Sequence, residues 1–161
     1  ATKQVGGIPV GVFVDSSARE ITDCCQACEI QHIQLHGQDS GRLAKELSLD
    51  FSVTLSVGID ASGQVTSSGY KFLDQAQGTA EHLLFDYHEA GSGKQFDHTR
   101  FELPSHRSWI LAGGLNAENV REAIRLLQPN GVDVSTGVES SQLGEKDPNR
   151  LRDFIKAART L

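Results

Sequence analysis

Short apolar or β-branched runs alternate along the chain with longer stretches whose apolar residues recur every three to four positions. The runs are Val10–Val14, His32–His36, Ser52–Val57, His82–Asp86, Trp109–Ala112 and Val132–Ser135. Most are compact and apolar, which predicts strands covered on both faces, as in a parallel sheet. The stretches between them carry helix signals. Ser17-Ala18-Arg19-Glu20 reads as a capping box, with Ile21, Cys24, Cys25 and Cys28 as the buried stripe that follows. After Asp39-Ser40 the inward residues are Leu43, Ala44 and Leu47. From Ser67 to Gln77 they are Tyr70 and Leu73, and a short helix is expected from Phe96 to Leu103. Asn116 is placed to cap a helix burying Val120, Ala123, Ile124 and Leu127, which Pro129 and Gly131 end. Asp147-Pro148 supplies a cap and an N1 proline for a last helix burying Leu151, Phe154, Ile155 and Ala158.

The pattern amounts to six β-then-α units repeating roughly every 25 residues, the spacing of right-handed βαβ crossovers. The fold class is therefore α/β with a parallel sheet, and residues 1–161 read as a single domain. Two architectures fit: an open doubly wound sheet, or a (β/α)8 barrel, which ordinarily takes about 200 to 250 residues. Six units do not close an eight-stranded barrel.

Composition narrows the partners. Of 161 residues, 38% are hydrophobic and 22% charged, and the formal net charge is −6. A surplus of acid argues against nucleic acid as the partner. No apolar run approaches the roughly 18 residues of a membrane span. Cys25-x-x-Cys28 suggests redox or metal chemistry at first sight, but the three cysteines follow helical spacing and no second pair completes a zinc site. The histidines show no ligand spacing with carboxylates, so no metal is expected.

In either architecture ligands bind at the C-terminal ends of the strands. Gln34, His36 and Gly37 stand at one such end, Asp86 at another, Gly113-Gly114 at a third and Asp133, Ser135, Thr136 and Gly137 at a fourth. A phosphate needs several N–H donors converging without side chains in the way. Glycines 113 and 114 allow that approach, and Ser135-Thr136-Gly137 adds hydroxyls and further N–H groups. A short helix expected to begin near Ser140-Ser141 would aim its N-terminus at the same point. Asp86 closes the apolar run Leu83-Leu84-Phe85, where partial desolvation raises a carboxyl pKa and suits it to donate a proton; the alternative is a structural Asp capping a loop. His36 reads equally well as a base, as a donor to substrate or as a satisfied polar group. Glu89-Ala90-Gly91-Ser92-Gly93-Lys94 lacks the Ser or Thr that completes a nucleotide P-loop, and a mobile active-site loop is expected there.

Three strings in order resemble phosphoribosylanthranilate isomerase: Gln34-Leu35-His36-Gly37, Leu111-Ala112-Gly113-Gly114-Leu115-Asn116 and Val132-Asp133-Val134-Ser135-Thr136-Gly137-Val138-Glu139. Val10–Val14, Gly91–Asp97 and Lys146-Asp147 fit as well, so the likeness covers nearly the whole chain. The resemblance implies a TIM (β/α)8-barrel, with the six units here standing as its third to eighth. It implies an Amadori rearrangement of N-(5′-phosphoribosyl)anthranilate to 1-(2-carboxyphenylamino)-1-deoxyribulose 5-phosphate in tryptophan biosynthesis, with no cofactor. Asp86 then matches the general acid, and Gly113, Gly114, Ser135, Thr136 and Gly137 match the phosphate cradle. Thr136 replaces a commoner Ser, and Asp133 matches a polar residue orienting the loop or the substrate. Gln34 and His36 join the substrate-binding set, and the setting implied is cytoplasmic, or plastid in a plant.

The chain departs from the family where the base should be. The resemblance implies a Cys in a Lys-x-Cys-Gly-like first strand, and the sequence contains no such motif. An Arg expected near the second strand's loop and a Lys at the end of Leu55-Ser56-Val57 are also lacking. Two further units, roughly 40 to 50 residues, are expected upstream. Three readings follow: an isomerase incomplete in this chain, a catalytically inactive phosphosugar-binding partial barrel, and a protein that self-associates through exposed barrel edges. Indole-glycerol-phosphate synthase, another phosphate-binding barrel, would show a catalytic Lys at a strand end, and none is found.

Overall fold

The computed structural model describes residues 4, 6–87, 100–102, 108–142 and 144–160. The loop expected over Gly91–Asp97, most of the helix expected from Phe96 to Leu103, and His88, His98 and His106 lie outside the described residues. Within them the chain is α/β. The strands are β1 (Val10–Val14), β2 (His32–His36), β3 (Ser52–Ile59), β4 (His82–Tyr87), β5 (Trp109–Leu111) and β6 (Gly131–Val132). Between and after them run α1 (Ala18–Cys28), α2 (Ser40–Leu47), α3 (Ser67–Ala76), α4 (Val120–Leu127) and α5 (Pro148–Arg159). The strands follow sequence order in one six-stranded sheet, and β1–β2, β2–β3 and β5–β6 pair parallel. This is the α/β fold anticipated from the pattern, in the partial (β/α)-barrel architecture that the resemblance implied.

The chain forms two compact units, residues 1–57 with 67–84, and residues 58–66 with 85–161. In the first, β2 and β3 alternate buried and half-buried positions, so that Ile33, Leu35, Val53, Leu55 and Val57 enter the core with Ile21, Leu43, Ala44 and Leu47. Gln34 and His36 occupy the opposite face of β2, in register with Val12 and Val14 of β1. The helix α1 starts as predicted: the Glu20 N–H donates to Ser17 Oγ at 3.3 Å and the Ser17 N–H donates to Glu20 Oε2 at 2.8 Å. Each bond satisfies an N–H that the helix start leaves open.

In the second unit Phe85, Phe101 and Trp109 form an aromatic cluster, with ring centroids 5.3 to 5.9 Å apart. Ile59, Leu111, Leu115, Val120, Val138 and Phe154 extend that core. The last helix begins as the sequence predicts, Asp147 Oδ1 accepting the N–H groups of Asn149 and Arg150 at 2.7 and 3.2 Å ahead of Pro148 at N1.

Several expectations are corrected. Strand β3 continues two residues past Val57 to Ile59, because its alternation of buried and half-buried positions persists. Strand β6 ends at Val132: the Asp133 N–H still reaches Leu111 O at 2.8 Å, but the chain then leaves the ladder to build a loop. Asn116 caps the turn ahead of α4, its Oδ1 accepting from Glu118 and Asn119 N–H groups, and the helix itself starts at Val120. Of the cysteine stripe only Cys25 is buried, one turn from Ile21; Cys24 and Cys28 are exposed. Burial pushes the Cys25 thiol above its ordinary range, and the two neighbouring thiols add to the shift. Leu151, Ile155 and Tyr70 are exposed, since α5 buries only Phe154 fully and α3 only Gly69 and Ala76.

Candidate active site

The second unit holds a cavity of about 170 Å³ lined by Asp86, Gly113, Gly114, Leu115, Asp133, Val134, Ser135 and Thr136. Three segments build it at the C-terminal ends of strands: Asp86 within β4, residues 113–115 after β5, and residues 133–136 after β6. It is smaller than pockets that enclose whole drug-sized ligands, which take roughly 300 to 1,000 Å³.

Asp86 follows the buried run Leu83, Leu84 and Phe85 and precedes buried Tyr87, so its carboxyl stands half-buried among apolar neighbours. Its pKa is pushed up to about 6, chiefly by desolvation and further by the charge of Asp133, against a smaller opposing hydrogen bond from the Tyr87 backbone. A carboxyl poised there is still protonated in part near neutrality and can deliver that proton to a basic oxygen.

Two glycines make the close approaches. Gly113 sits at φ +90°, and a Cβ there would stand 2.7 Å from Tyr87 N and 3.1 Å from Asp86 Oδ1. The loop can lie against the acid only because that position has no side chain. A Cβ on Gly137 would land on the Leu115 carbonyl oxygen, so this glycine lets the loop after β6 close on the loop after β5. It belongs to a short 3-10 helix, Thr136–Val138, next to the cavity. The sequence placed a helix start near Ser140-Ser141; the chain there is not helical. Instead, Glu139 bridges antiparallel to Lys146, because the Ser140 N–H bonds to Glu145 O and the Asp147 N–H to Val138 O, both at 2.8 Å.

The structure thus brings Asp86, Gly113, Gly114, Asp133, Ser135 and Thr136 to one cavity, with Gly137 beside it. Gln34 and His36 belong to the first unit, where Gln34 Nε2 lies 2.6 Å from His36 Nε2. A residue outside the predicted set also reaches the cavity wall: Lys146 Nζ donates to Ser135 O at 3.0 Å and to Ser135 Oγ at 3.1 Å. Its sequence signals were its place ahead of the Asp147-Pro148 cap and the fit of Lys146-Asp147 to the resemblance. Among the described residues no group of three His, Cys, Asp or Glu is arranged to hold a metal ion, and no helix is long and apolar enough to cross a membrane.

The family model for N-(5′-phosphoribosyl)anthranilate (PRA) isomerase matches residues 2–157. The N-(5′-phosphoribosyl)anthranilate isomerase of Chlamydia felis is 38% identical over 160 residues, covering 99% of this chain and 75% of its own length. The solved phosphoribosyl anthranilate isomerase of Thermotoga maritima superposes with a TM-score of 0.75 at 34% identity, covering 96% of this chain and 74% of that one. A further isomerase structure, in complex with reduced 1-(o-carboxyphenylamino)-1-deoxyribulose 5-phosphate, gives a TM-score of 0.72 at 31% identity, over 96% of this chain and 73% of that one.

Proposed function

This chain belongs to the N-(5′-phosphoribosyl)anthranilate isomerase family, and from that premise we propose that it anchors the substrate's phosphate and supplies the general acid of the rearrangement. The observation that carries the reading is the shared cavity. Asp86, its carboxyl raised to about 6, faces the same 170 Å³ space as Gly113, Gly114, Ser135 and Thr136. That space suits a phosphate group, and the loops around it offer backbone N–H groups and two hydroxyls.

In the proposed step, protonated Asp86 donates to the furanose ring oxygen as the bond from that oxygen to C1′ breaks. The amine nitrogen's lone pair forms the C=N bond, leaving a Schiff base with its positive charge on nitrogen. Loss of the C2′ proton to a base returns those electrons to nitrogen and yields an enolamine, which tautomerises to the ketose. Asp133, which raises the Asp86 pKa, keeps the acid protonated to higher pH. Gln34 and His36 are assigned to the substrate-binding set on the resemblance.

The base is the incomplete part of this assignment. All three cysteines lie in α1, none at a strand end. Proton abstraction by a strand-end cysteine therefore has no counterpart among these residues. That observation favours a second reading, a phosphosugar-binding partial barrel without catalysis.

Calorimetric titration with reduced 1-(2-carboxyphenylamino)-1-deoxyribulose 5-phosphate tests both, followed by a turnover assay with and without a segment bearing a Lys-x-Cys-Gly-like strand. Binding with turnover that appears on adding the segment is the expected result. Binding without turnover in either case replaces the first reading by the second. Failure to bind the analogue overturns both.

A further inference from the structure

We infer that Lys146 is a positioning residue for the phosphate cradle, holding Ser135 so that its hydroxyl proton is turned to the anion. The inference rests on the phosphate assignment of the cavity. It starts from donor arithmetic. A lysine ammonium carries three N–H donors and accepts nothing. Lys146 Nζ has three oxygen partners: Ser135 O at 3.0 Å, Ser135 Oγ at 3.1 Å and Glu139 Oε1 at 2.8 Å.

The consequence for Ser135 is directional. Its Oγ accepts from the ammonium, so the hydroxyl's own proton is left to donate elsewhere. Ser135 lines the cavity, and an anion there is an acceptor. Because the carbonyl of the same residue is held by the same ammonium, both the backbone and the side chain of Ser135 are fixed from one point. This matters at a residue whose backbone, φ −120° and ψ −82°, belongs to neither helix nor strand.

The strap is itself anchored. Glu139, its side chain only 13% exposed, holds the ammonium from the other side. The antiparallel bridge between Glu139 and Lys146 sets the two residues opposite each other. Arg150 of α5 donates to the Glu139 carbonyl at 2.9 Å. The hydrogen bond from Lys146 holds the Glu139 carboxyl below the usual carboxylate range, so the pair stays ionised through neutral pH. The cation is thus brought against a cavity whose own charged residues, Asp86 and Asp133, are acids that would repel a phosphate.

The test compares binding of the reduced product analogue with binding of its phosphate-free counterpart, by calorimetry on the full chain. Lys146→Met is expected to weaken the phosphorylated ligand about tenfold, the scale of a lost charge-assisted hydrogen bond, and to leave the phosphate-free ligand unchanged. Lys146→Arg, which keeps charge and donors, recovers most of the loss. Equal weakening of both ligands, with a lowered melting temperature and no recovery by Arg, would mean a merely structural role and overturn the inference. Glu139→Gln is the second variant. It leaves the cation but loosens its anchor, so the phosphorylated ligand weakens about threefold; tighter binding would show plain charge attraction and overturn positioning. If the unaltered chain binds the phosphate-free ligand as well as the phosphorylated one, the phosphate assignment fails and this inference with it. If it prefers the phosphorylated ligand but Lys146→Met does not change that preference, only the role of Lys146 fails.

Discussion

In the first unit, β1 leaves Val10, Val12 and Val14 between 47% and 62% exposed, along one face of a strand that pairs on one side only among the described residues. In the second, Asp86 is drawn among buried Leu84, Phe85 and Tyr87 until its carboxyl resists ionisation. The two strands break the rule of apolar inside and polar outside in opposite directions, and the physical costs differ. Exposed β-branched residues on an edge strand leave unpaired backbone groups beside apolar surface, which invites association. A desolvated carboxyl opposes folding once it ionises and yields an acid that keeps its proton to higher pH than an exposed one. Only the second departure is matched by surroundings built for it. Gly113 makes room beside the acid, Asp133 raises it further, and Gly137 closes one loop on the other.

The largest effect expected from breaking this contrast is at Asp86. In Asp86→Asn, whatever turnover the chain supports, alone or with a base-bearing segment, falls at least about a hundredfold, the low end of what general acid catalysis contributes. In the unaltered chain kcat/KM should decline as pH rises past about 6, and Asp133→Asn should move that decline to lower pH by removing the charge that raises Asp86. Stability carries the opposite sign. The folded pKa of Asp86 lies above its unfolded value of 3.8, so this group's contribution is fully present below that value and is lost as pH rises through about 6. Asp86→Asn should therefore raise the melting temperature at pH 7.5 and change it little near pH 4. Equal shifts at the two pH values would show that desolvation of the charge is not what distinguishes this strand.

Smaller is the effect of Gly137→Val, which sets side-chain atoms on the Leu115 carbonyl. Affinity for the phosphorylated analogue should fall at least about tenfold, with about 1 to 3 kcal/mol of lost stability from forced backbone shifts. Calorimetry and denaturant unfolding measure the two. An unaltered affinity would mean that the approach of the two loops does not form the cradle.

The smallest effect is expected at the edge. Val12 is 59% exposed, and Val12→Lys should change unfolding free energy by no more than about 0.5 kcal/mol. It should leave analogue affinity intact and reduce any concentration-dependent association seen by light scattering, as charges on edge strands do. A large loss of stability would show that the valine face is held by contacts its exposure conceals.

Much of this was legible in the residues. The Ser17 and Asp147 caps are local chemistry, decided within four residues, and they appear where the sequence put them. The cavity residues were legible because strand ends are where βα repeats place ligands, and glycines, hydroxyls and two carboxylates stood there together. Lys146 was not legible as part of the site. It lies eleven residues beyond Ser135, and a turn had to reverse the chain before the two met. The helix expected at Ser140-Ser141 failed for the same reason: two serines make a plausible start, but the pairing of Glu139 with Lys146 claimed the segment.

By itself, then, the sequence determined what depends on neighbours along the chain: the order of strands and helices, their caps, and which strand ends carry polar chemistry. Periodicity marked the face each helix would offer, but not how much of it would be covered. Cys24, Cys28, Leu151 and Ile155 follow helical spacing and are exposed, because burial needs a partner surface and not only an apolar stripe. Tertiary structure alone decided that coverage, the short reach of β6, the contact of Lys146 with Ser135 and the share of Asp133 in the raised pKa of Asp86. Each of these depends on atoms brought within a few ångströms from distant parts of the chain, where desolvation and hydrogen bonding act and local pattern is silent.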